Sequence, residues 1–331
     1  MHARRVVGLV LCGLGAALIV LAPLLHWWVG PALSKSPIGG EVVSDASGQN
    51  VTYLDFADPA AGPKVGTVRS REVYKGIADD STDTVAVYTL DAEIYYTDEP
   101  ILARDITARQ ERFAVDRKTA LAVPDPKGQE QIEKDVNNSS AKHSGLILKF
   151  PIDTEKKSYP FWDAQLRSSQ YQMEYRGESS LNGLKVYQFE QNIPDTDLSA
   201  RTPNLHYSSV RRVWVEPTTG VIVKGEQTVS ATVGAPTAPD KLTVLNGTLT
   251  FTDENINAMA KKARDGKAKI DMIQLWAPLV FLLLGLVSLV AGLLLVRGAE
   301  SGGKRAAHRL PGPTEGTSSD EPTVSFPSNL G

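Results

Sequence analysis

Two long apolar segments constrain this chain of 331 residues more than any other feature of its sequence. Residues 6–29 and residues 273–296 each run for 24 residues without an Asp, Glu, Lys or Arg. At about 1.5 Å per residue, each segment would form a helix roughly 36 Å long, and the hydrocarbon core of a bilayer is roughly 30 Å thick. The sequence therefore predicts two transmembrane helices and excludes a purely cytosolic protein.

These segments divide the chain into five predicted regions. They are a cytoplasmic N-terminus (1–5), a first transmembrane helix (6–29), an extracytoplasmic β-rich domain (30–272), a second transmembrane helix (273–296) and a disordered cytoplasmic tail (297–331). The orientation follows from the flanking basic residues, because Arg4 and Arg5 precede the first helix and only Lys35 closely follows it. The prediction is therefore a two-pass cell-membrane protein with both termini in the cytoplasm.

The first apolar segment fits an uncleaved anchor better than a signal peptide. A secretory signal has an apolar region of about 7 to 15 residues, and this segment is far longer. The small residues Ala32 and Ser34 still provide a cleavage pattern. Removal of residues 1–34 therefore stays open as an alternative.

The sequence between the two apolar segments is typical of β-strands. Residues 241–251 contain Asn246-Gly247 between two β-rich runs, which predicts a hairpin with a type I′ turn. Two further strands flank a turn whose structural residues are Glu216, Pro217 and Gly220. The predicted fold is a mainly β (α+β) domain, antiparallel and barrel-like or a sandwich, flanked by the two transmembrane helices.

Several function classes find no support in the composition. Residues 30–272 hold 29 of the 35 basic and 34 of the 38 acidic side chains, a net charge of 29 − 34 = −5, which argues against nucleic acid as a partner. The acidic cluster of Asp79, Asp80 and Asp83 resembles a polar loop more than a metal site. No motif beside His143 or His206 marks a nucleophile or an orienting carboxylate. We therefore expect no enzyme activity, no metal and no cofactor.

A basic helix is predicted immediately before the second apolar segment. Residues 253–269 have helix-forming composition and lead directly into that segment. Five basic residues on this helix are predicted to contact anionic headgroups at about 1 kcal/mol each: Lys261, Lys262, Arg264, Lys267 and Lys269. A solvated stalk is the alternative. Membrane lipids are the predicted partners, and other envelope proteins are a second possibility.

Three stretches resemble an actinobacterial family of envelope proteins that is labelled porin-A-like and has no assigned function. They are Arg112 to Ala120, Thr154 to Asp163 (TEKKSYPFWD) and Trp214 to Glu226 (WVEPTTGVIVKGE). Together with the two terminal helices, the resemblance covers most of residues 1–297. The double anchor and the Glu-Pro-x-x-Gly turn are more distantly similar to class B scavenger receptors and lysosomal integral membrane proteins, whose ectodomains enclose a lipid tunnel. This chain differs from that second family in length and in having no ectodomain cysteine.

The leading functional hypothesis is a non-enzymatic domain that binds or passes a lipid or other apolar ligand within the cell envelope. Exposing a sixteen-carbon acyl chain to water costs on the order of 13 kcal/mol, so exchange between membranes requires shielding. The candidate ligand contacts are Tyr159, Phe161, Trp162, Val213 and Trp214. Ordinary core packing is the alternative role for these side chains.

Three other functions are weighed against lipid binding. A structural or assembly factor for envelope proteins is the main alternative. A porin-type channel is rejected, because the predicted strands are short and charged on both faces, and Arg211 or Arg212 facing lipid would cost about 2 to 4 kcal/mol each. A hydrolase is the weakest of the alternatives.

Overall fold

The computed structural model describes residues 2–33, 35–96, 105–132, 142–200, 202–234, 237, 239 and 241–306. The chain divides into two compact units. The larger unit is formed by residues 25–277, and the smaller unit by residues 1–24 together with the chain from residue 278 onward. Residues 297–306 of the predicted tail continue a helix, and the rest of that tail lies outside the described residues.

The described residues form twelve β-strands and four α-helices. The strands are β1 (Glu41–Leu54), β2 (Pro63–Gly76), β3 (Val85–Tyr96), β4 (Asp105–Asp116), β5 (Ala122–Val123), β6 (Gln131–Ile132), β7 (Tyr159–Pro160), β8 (Gln172–Leu181), β9 (Leu184–Asp197), β10 (Leu205–Glu216), β11 (Val221–Val233) and β12 (Leu242–Phe251). The α-helices are α1 (His2–Leu24), α2 (Gly30–Leu33), α3 (Asp253–Asp271) and α4 (Ala277–Ala306). Short 3-10 helices lie at Pro59–Ala61 and Ala78–Asp80, and π-helical turns at Leu25–Val29 and Met272–Trp276.

The strands form one open antiparallel sheet. Its order is β5-β4-β3-β2-β1-β12-β11-β10-β9-β8-β7, with β6 beside β4. Most neighbours in the sheet are therefore also neighbours in the sequence, and β1 with β12 joins the N-terminal half to the C-terminal half. The predicted fold class, mainly antiparallel β with two terminal helices apolar enough to cross a membrane, is confirmed.

A short segment around Leu146 links the two edges of the sheet. Leu146 forms an antiparallel bridge with Leu121 at the β5 edge and a parallel bridge with Phe161 at the β7 edge. The amide of Leu146 donates to the carbonyl of Pro160 at 2.8 Å, and the carbonyl of Leu146 accepts from the amide of Trp162 at 2.7 Å. These contacts satisfy backbone groups that an exposed edge would leave unpaired.

The predicted hairpin at Asn246-Gly247 is wrong, because β12 runs through both residues without a turn. A Cβ on Gly247 would lie 2.9 Å from a methyl carbon of Val51 on β1. Glycine therefore serves here to let β1 and β12 approach each other closely, next to an irregularity in their register. A true Asn-Gly turn joins β8 to β9, where Asn182 and Gly183 have φ values of 50° and 75°.

The turn between β10 and β11 forms where the sequence predicts it. The buried Glu216 carboxylate accepts hydrogen bonds from the amide of Thr218 at 3.1 Å and from the amide of Thr219 at 2.9 Å. Pro217 accepts from the amide of Thr154 at 2.8 Å. Gly220 has a φ of 71° and lies against the backbone of residues 150 and 151. This turn therefore fixes the segment that follows Phe150.

Helix α3 packs on the sheet through two alanines. Thr252 caps the helix, since its side chain accepts from the amide of Asn255 at 3.2 Å. Ala260 and Ala263 are fully buried against Val186 and Val223. The predicted helix over residues 253–269 is therefore present, and it extends two residues further.

Helices α1 and α4 pack against each other through glycines. Gly15 lies so close to α4 that a Cβ on it would be 2.7 Å from the carbonyl oxygen of Gly285. Gly8 and Gly292 meet in the same way further along the pair. Gly13, by contrast, has no atom within 4 Å of its Cβ position. The close packing that small residues permit therefore occurs at Gly8 and Gly15 on α1.

Candidate functional site

The larger unit contains a cavity of about 420 Å³. Side chains from β1 to β4 line one side, and side chains from β10 to β12 line the other. The segment from Phe161 to Gln165 and the short stretch at Ile147 complete the wall. The cavity is thus formed by both halves of the sheet, and it is the candidate functional site.

One part of the cavity wall is an ion network around Arg109. The Nε of Arg109 donates to Glu111 at 2.8 Å, and a terminal nitrogen donates to Glu72 at 3.2 Å. The Tyr74 hydroxyl donates to the other Glu72 oxygen at 2.8 Å. Burial raises the pKa of Glu111, but hydrogen bonds from His143 and the charge of Arg109 outweigh it and hold the pKa below its usual range. Glu111 is therefore an ionised carboxylate inside the protein.

His143 lies between two carboxylates. Its Nε2 is 3.0 Å from Glu111 and its Nδ1 is 2.9 Å from Glu130. Each ring nitrogen is therefore within hydrogen-bonding distance of a carboxylate oxygen. The sequence does not reveal these partners, since Glu111 lies 32 residues away. His143 contacts carboxylates, and neither of its ring nitrogens meets a hydroxyl or thiol among the described residues.

A second polar cluster is centred on the buried Asp163. One oxygen accepts from the amides of Gln165 and Leu166, both at 2.9 Å. The other oxygen accepts from the Tyr207 hydroxyl at 3.1 Å and from Arg211 at 3.4 Å. Burial, followed by the charge of Asp163, raises the pKa of Tyr207. The phenol therefore stays neutral and donates to the carboxylate.

Three of the five predicted ligand contacts line the cavity: Phe161, Trp162 and Val213. The indole nitrogen of Trp162 is buried without a hydrogen-bond partner among the described residues. Tyr159 instead packs in the core against Phe150. Trp214 lies near α3, with Lys224 over its ring at 4.5 Å. Contact of these side chains with a ligand stays a prediction.

The predicted basic surface of α3 is partly neutralised. Lys261 pairs with Asp265 at 2.6 Å, and Lys267 pairs with Asp271 at 2.7 Å. Arg264 donates to the carbonyl of Asn182 at 3.1 Å. The contact of Lys261, Lys262, Arg264, Lys267 and Lys269 with headgroups stays a prediction.

The acidic cluster of Asp79, Asp80 and Asp83 is partly neutralised by basic side chains of the protein itself. Arg112 donates to Asp80 at 2.7 Å, and Lys127 binds the other oxygen of the same carboxylate. These two hydrogen bonds lower the pKa of Asp80. Within the part of the chain that the structure describes, no group of three or more His, Cys, Asp and Glu side chains is arranged to hold a metal.

An aromatic group lies where the two apolar segments meet the larger unit. Trp27, Trp28 and Trp276 are on the two π-helical turns, and they are 70%, 77% and 57% exposed. The turns contact each other, since His26 Nδ1 lies 2.6 Å from the carbonyl oxygen of Gln274. Exposed tryptophans at the end of an apolar helix are typical of a membrane–water interface. The sequence contains this signal as the adjacent pair Trp27-Trp28.

A protein-family model described as Porin PorA matches residues 7–294. A Porin PorA of Corynebacterium amycolatum is 25% identical over 299 residues, covering 68% of this chain and 77% of that protein. A Porin PorA of Corynebacterium resistens is 26% identical over 228 residues, covering 60% of this chain and 55% of that protein. This chain thus spans about half the length of the second relative.

A solved structure is also similar in part. It is described as a putative outer membrane lipoprotein-sorting protein domain from Vibrio parahaemolyticus. The match covers 67% of this chain and 92% of that one, at 12% identity and a TM-score of 0.19. A TM-score this low carries no argument about the fold.

The family match contradicts the predicted function. We predicted that the protein binds or passes a lipid and is not a porin. This conflicts with the family model and with both relatives, which are described as porins. Nothing in these matches supports the distant likeness to class B scavenger receptors. The argument that the strands are too short for a channel was also wrong. Nine of the described strands are 10 to 14 residues long, and about 9 to 11 residues suffice to cross a bilayer.

Proposed function

Because this chain belongs to the Porin PorA family, we propose that it forms, in several copies, a channel across a membrane of the cell envelope. The observation that carries the proposal is the family match over residues 7–294, which includes both apolar helices and the whole sheet. The proposal also assigns the chain no catalytic activity. Passage of solute through a channel requires no bond to be made or broken.

The two apolar helices are the membrane-crossing elements in this proposal. Their side chains are largely exposed, as lipid-facing side chains would be. The larger unit exposes few large apolar side chains outside its helical residues 25–33 and 253–277. In the described part of that region they are Ile38, Phe56, Val65 and Leu121. Four scattered side chains do not make the continuous apolar band that a lipid-facing barrel needs. This supports a proposed arrangement in which the sheet lies outside the hydrocarbon region, on the extracytoplasmic side that the basic residues Arg4 and Arg5 favour.

A single copy offers no lumen between its helices. Gly15 of α1 and Gly285 of α4 are in backbone contact, and Gly8 and Gly292 meet in the same way. Two helices in such contact leave no space for water or ions between them. A conducting path through the bilayer therefore requires helices from several copies, with the α1–α4 pair as the repeating unit.

Bilayer recordings test the proposal. Purified full-length protein added to a planar lipid bilayer in KCl is expected to give discrete conductance steps. Gly15→Leu should abolish the steps, because its side chain would separate α1 from α4. Gly13→Leu is the matched control, since the Cβ position of Gly13 contacts nothing within 4 Å.

Two outcomes would contradict the proposal. One is a silent bilayer despite verified insertion of the wild-type protein. The other is conductance that survives Gly15→Leu unchanged in a correctly inserted variant, because the helix pair would then be irrelevant to the pore.

A further inference from the structure

Three basic side chains converge near Ser36, which is buried. The Nζ of Lys149 donates to the Ser36 hydroxyl at 2.9 Å. The Nε of Arg117 donates to the Ser36 carbonyl at 2.7 Å, and the amide of Ser36 donates to the carbonyl of Arg117 at 2.8 Å. Lys262 is the third: it lies on α3 one turn before Gly266, whose Cβ position is 3.0 Å from the methyl carbon of Thr219. Thr219 is next to Gly220, whose carbonyl accepts from the amide of Phe150, the neighbour of Lys149, at 2.8 Å. The charge of Lys262 also acts on Lys149. The end of β4, the segment before Phe150 and helix α3 thus each bring a basic side chain to this region.

Among the described residues, the two lysines of this group have no carboxylate as a counter-ion. Arg117 does have a counter-ion nearby, because one of its terminal nitrogens lies 3.7 Å from the Asp83 carboxylate. Neither Lys149 nor Lys262 forms an ion pair with a carboxylate of the described residues, in contrast to their neighbour Lys261. Burial, followed by the charge of Lys262, lowers the pKa of Lys149 to about 8. At neutral pH Lys149 is therefore still mostly protonated, and a partly buried ammonium that has a hydroxyl but no counter-ion as its partner is costly.

We propose that Lys149, Lys262 and Ser36 bind the phosphate group of a soluble ligand. Two ammonium groups match the charge of a phosphate close to −2, and a phosphate offers several acceptor oxygens. The Ser36 hydroxyl accepts from Lys149, and its own hydrogen stays available to donate to a phosphate oxygen. Lys262 is exposed, so the ligand enters from solvent on the α3 side.

The position of Lys262 on α3 favours a soluble ligand over a lipid headgroup. Lys262 lies ten residues before Met272. Met272 begins the π-helical turn that carries the exposed Trp276. At about 1.5 Å per residue, Lys262 is therefore roughly 15 Å from Met272 along the helix, and further from Trp276. The headgroup region on each side of a bilayer is only about 5 to 7 Å thick. Headgroup phosphates at the Trp276 level are therefore out of reach of Lys262.

Thermal unfolding of the full-length protein in a non-ionic detergent tests the proposal, with inorganic phosphate as the probe. Sodium phosphate at pH 7 should raise the Tm with concentration, relative to NaCl of equal ionic strength. Lys262→Gln should weaken phosphate binding and raise the apparent Kd at least tenfold. Lys261→Gln, one residue away on the same helix and paired with Asp265, should leave the response unchanged.

Lys149→Met distinguishes a site from a general salt effect. Because it removes a costly buried charge and keeps the shape of the side chain, it should raise the Tm without phosphate and abolish the phosphate response. The proposal is overturned if phosphate acts no better than chloride, or if Lys261→Gln and Lys262→Gln respond alike. It is also overturned if phosphate has no effect and only nanodiscs containing anionic lipid shift the Tm, since the ligand would then be a headgroup.

Discussion

Gly220 illustrates how a single residue fixes the geometry of the β10–β11 turn. Its φ of 71° lies in the left-handed region, and a Cβ there would overlap the backbone oxygens of Phe150 and Pro151. The turn is additionally held by the buried Glu216 carboxylate. The Gly220 contact involves the backbone that follows Ile147 and Leu148, which line the cavity, so the turn helps to position that part of the wall.

Gly220→Ala is expected to lower the free energy of unfolding by about 2 kcal/mol or more, since strain in the left-handed region adds to a backbone clash. Gly183→Ala is the matched control. Gly183 has a φ of 75° but nothing within 4 Å of its Cβ position, so it should show only the backbone strain. Chemical denaturation of both variants measures the difference. Equal losses would mean that the contact with residues 150 and 151 is unimportant.

Glu111 is expected to give the protein an acid-sensitive step in stability. Its pKa is lowered in the folded state, so the unfolded chain takes up the proton first as the pH falls. The contribution of Glu111 is therefore fully present above the unfolded pKa near 4.5 and is lost as the pH falls through the lower folded value. Denaturant unfolding between pH 6 and pH 3 should show a flatter acid limb for Glu111→Gln. The exposed Glu155→Gln should keep the wild-type slope.

At the scale of elements, local signals predicted strands and helices better than they predicted turns. The apolar segments and the basic helix α3 are where periodicity and composition place them. The two Asn-Gly pairs show why turns are harder: Asn182-Gly183 turns the chain, whereas Asn246-Gly247 lies inside β12. The second pair is needed for the close approach of β1, which is some 195 residues away in sequence and invisible to local patterns.

The cavity was even less predictable from sequence. His143 meets Glu111 across 32 residues, and Tyr207 meets Asp163 across 44 residues. Such pairs depend on the sheet register, which the sequence alone does not determine. Two of the aromatic residues near Tyr159, Phe161 and Trp162, line the cavity, and their contact with a ligand stays a prediction. No local pattern indicated the charged network beside them.

The start of α3 depends on its cap. Thr252→Ala should lower the free energy of unfolding by about 1 kcal/mol, because the amide of Asn255 loses its acceptor. Thr252→Ser keeps a hydroxyl at the same position and should restore most of the loss. Denaturant midpoints of the two variants provide the test. A serine variant as weak as the alanine variant would assign the loss to the missing methyl group instead of the cap.

At the scale of the whole molecule, the orientation in the membrane can be tested with single cysteines. Cys12 is the only native cysteine, so Cys12→Ser provides a cysteine-free background. Adding Lys185→Cys on β9 or Ala3→Cys near the N-terminus places one exposed thiol on each predicted side. A membrane-impermeant maleimide should label the first variant in intact cells and the second only after permeabilisation. The reverse pattern would place the sheet in the cytoplasm.

The pairing of β1 with β12 has a consequence for how the chain is made. Ala46 lies opposite Phe251, so β1 must wait for 251 − 46 = 205 further residues before its second neighbour exists. At about 5 to 20 residues per second, the ribosome needs roughly 10 to 40 s to supply them. During that interval the hairpin of β1 and β2 has one unsatisfied edge that invites pairing with a foreign strand. The free edge of β1 therefore stays exposed until synthesis has passed Phe251.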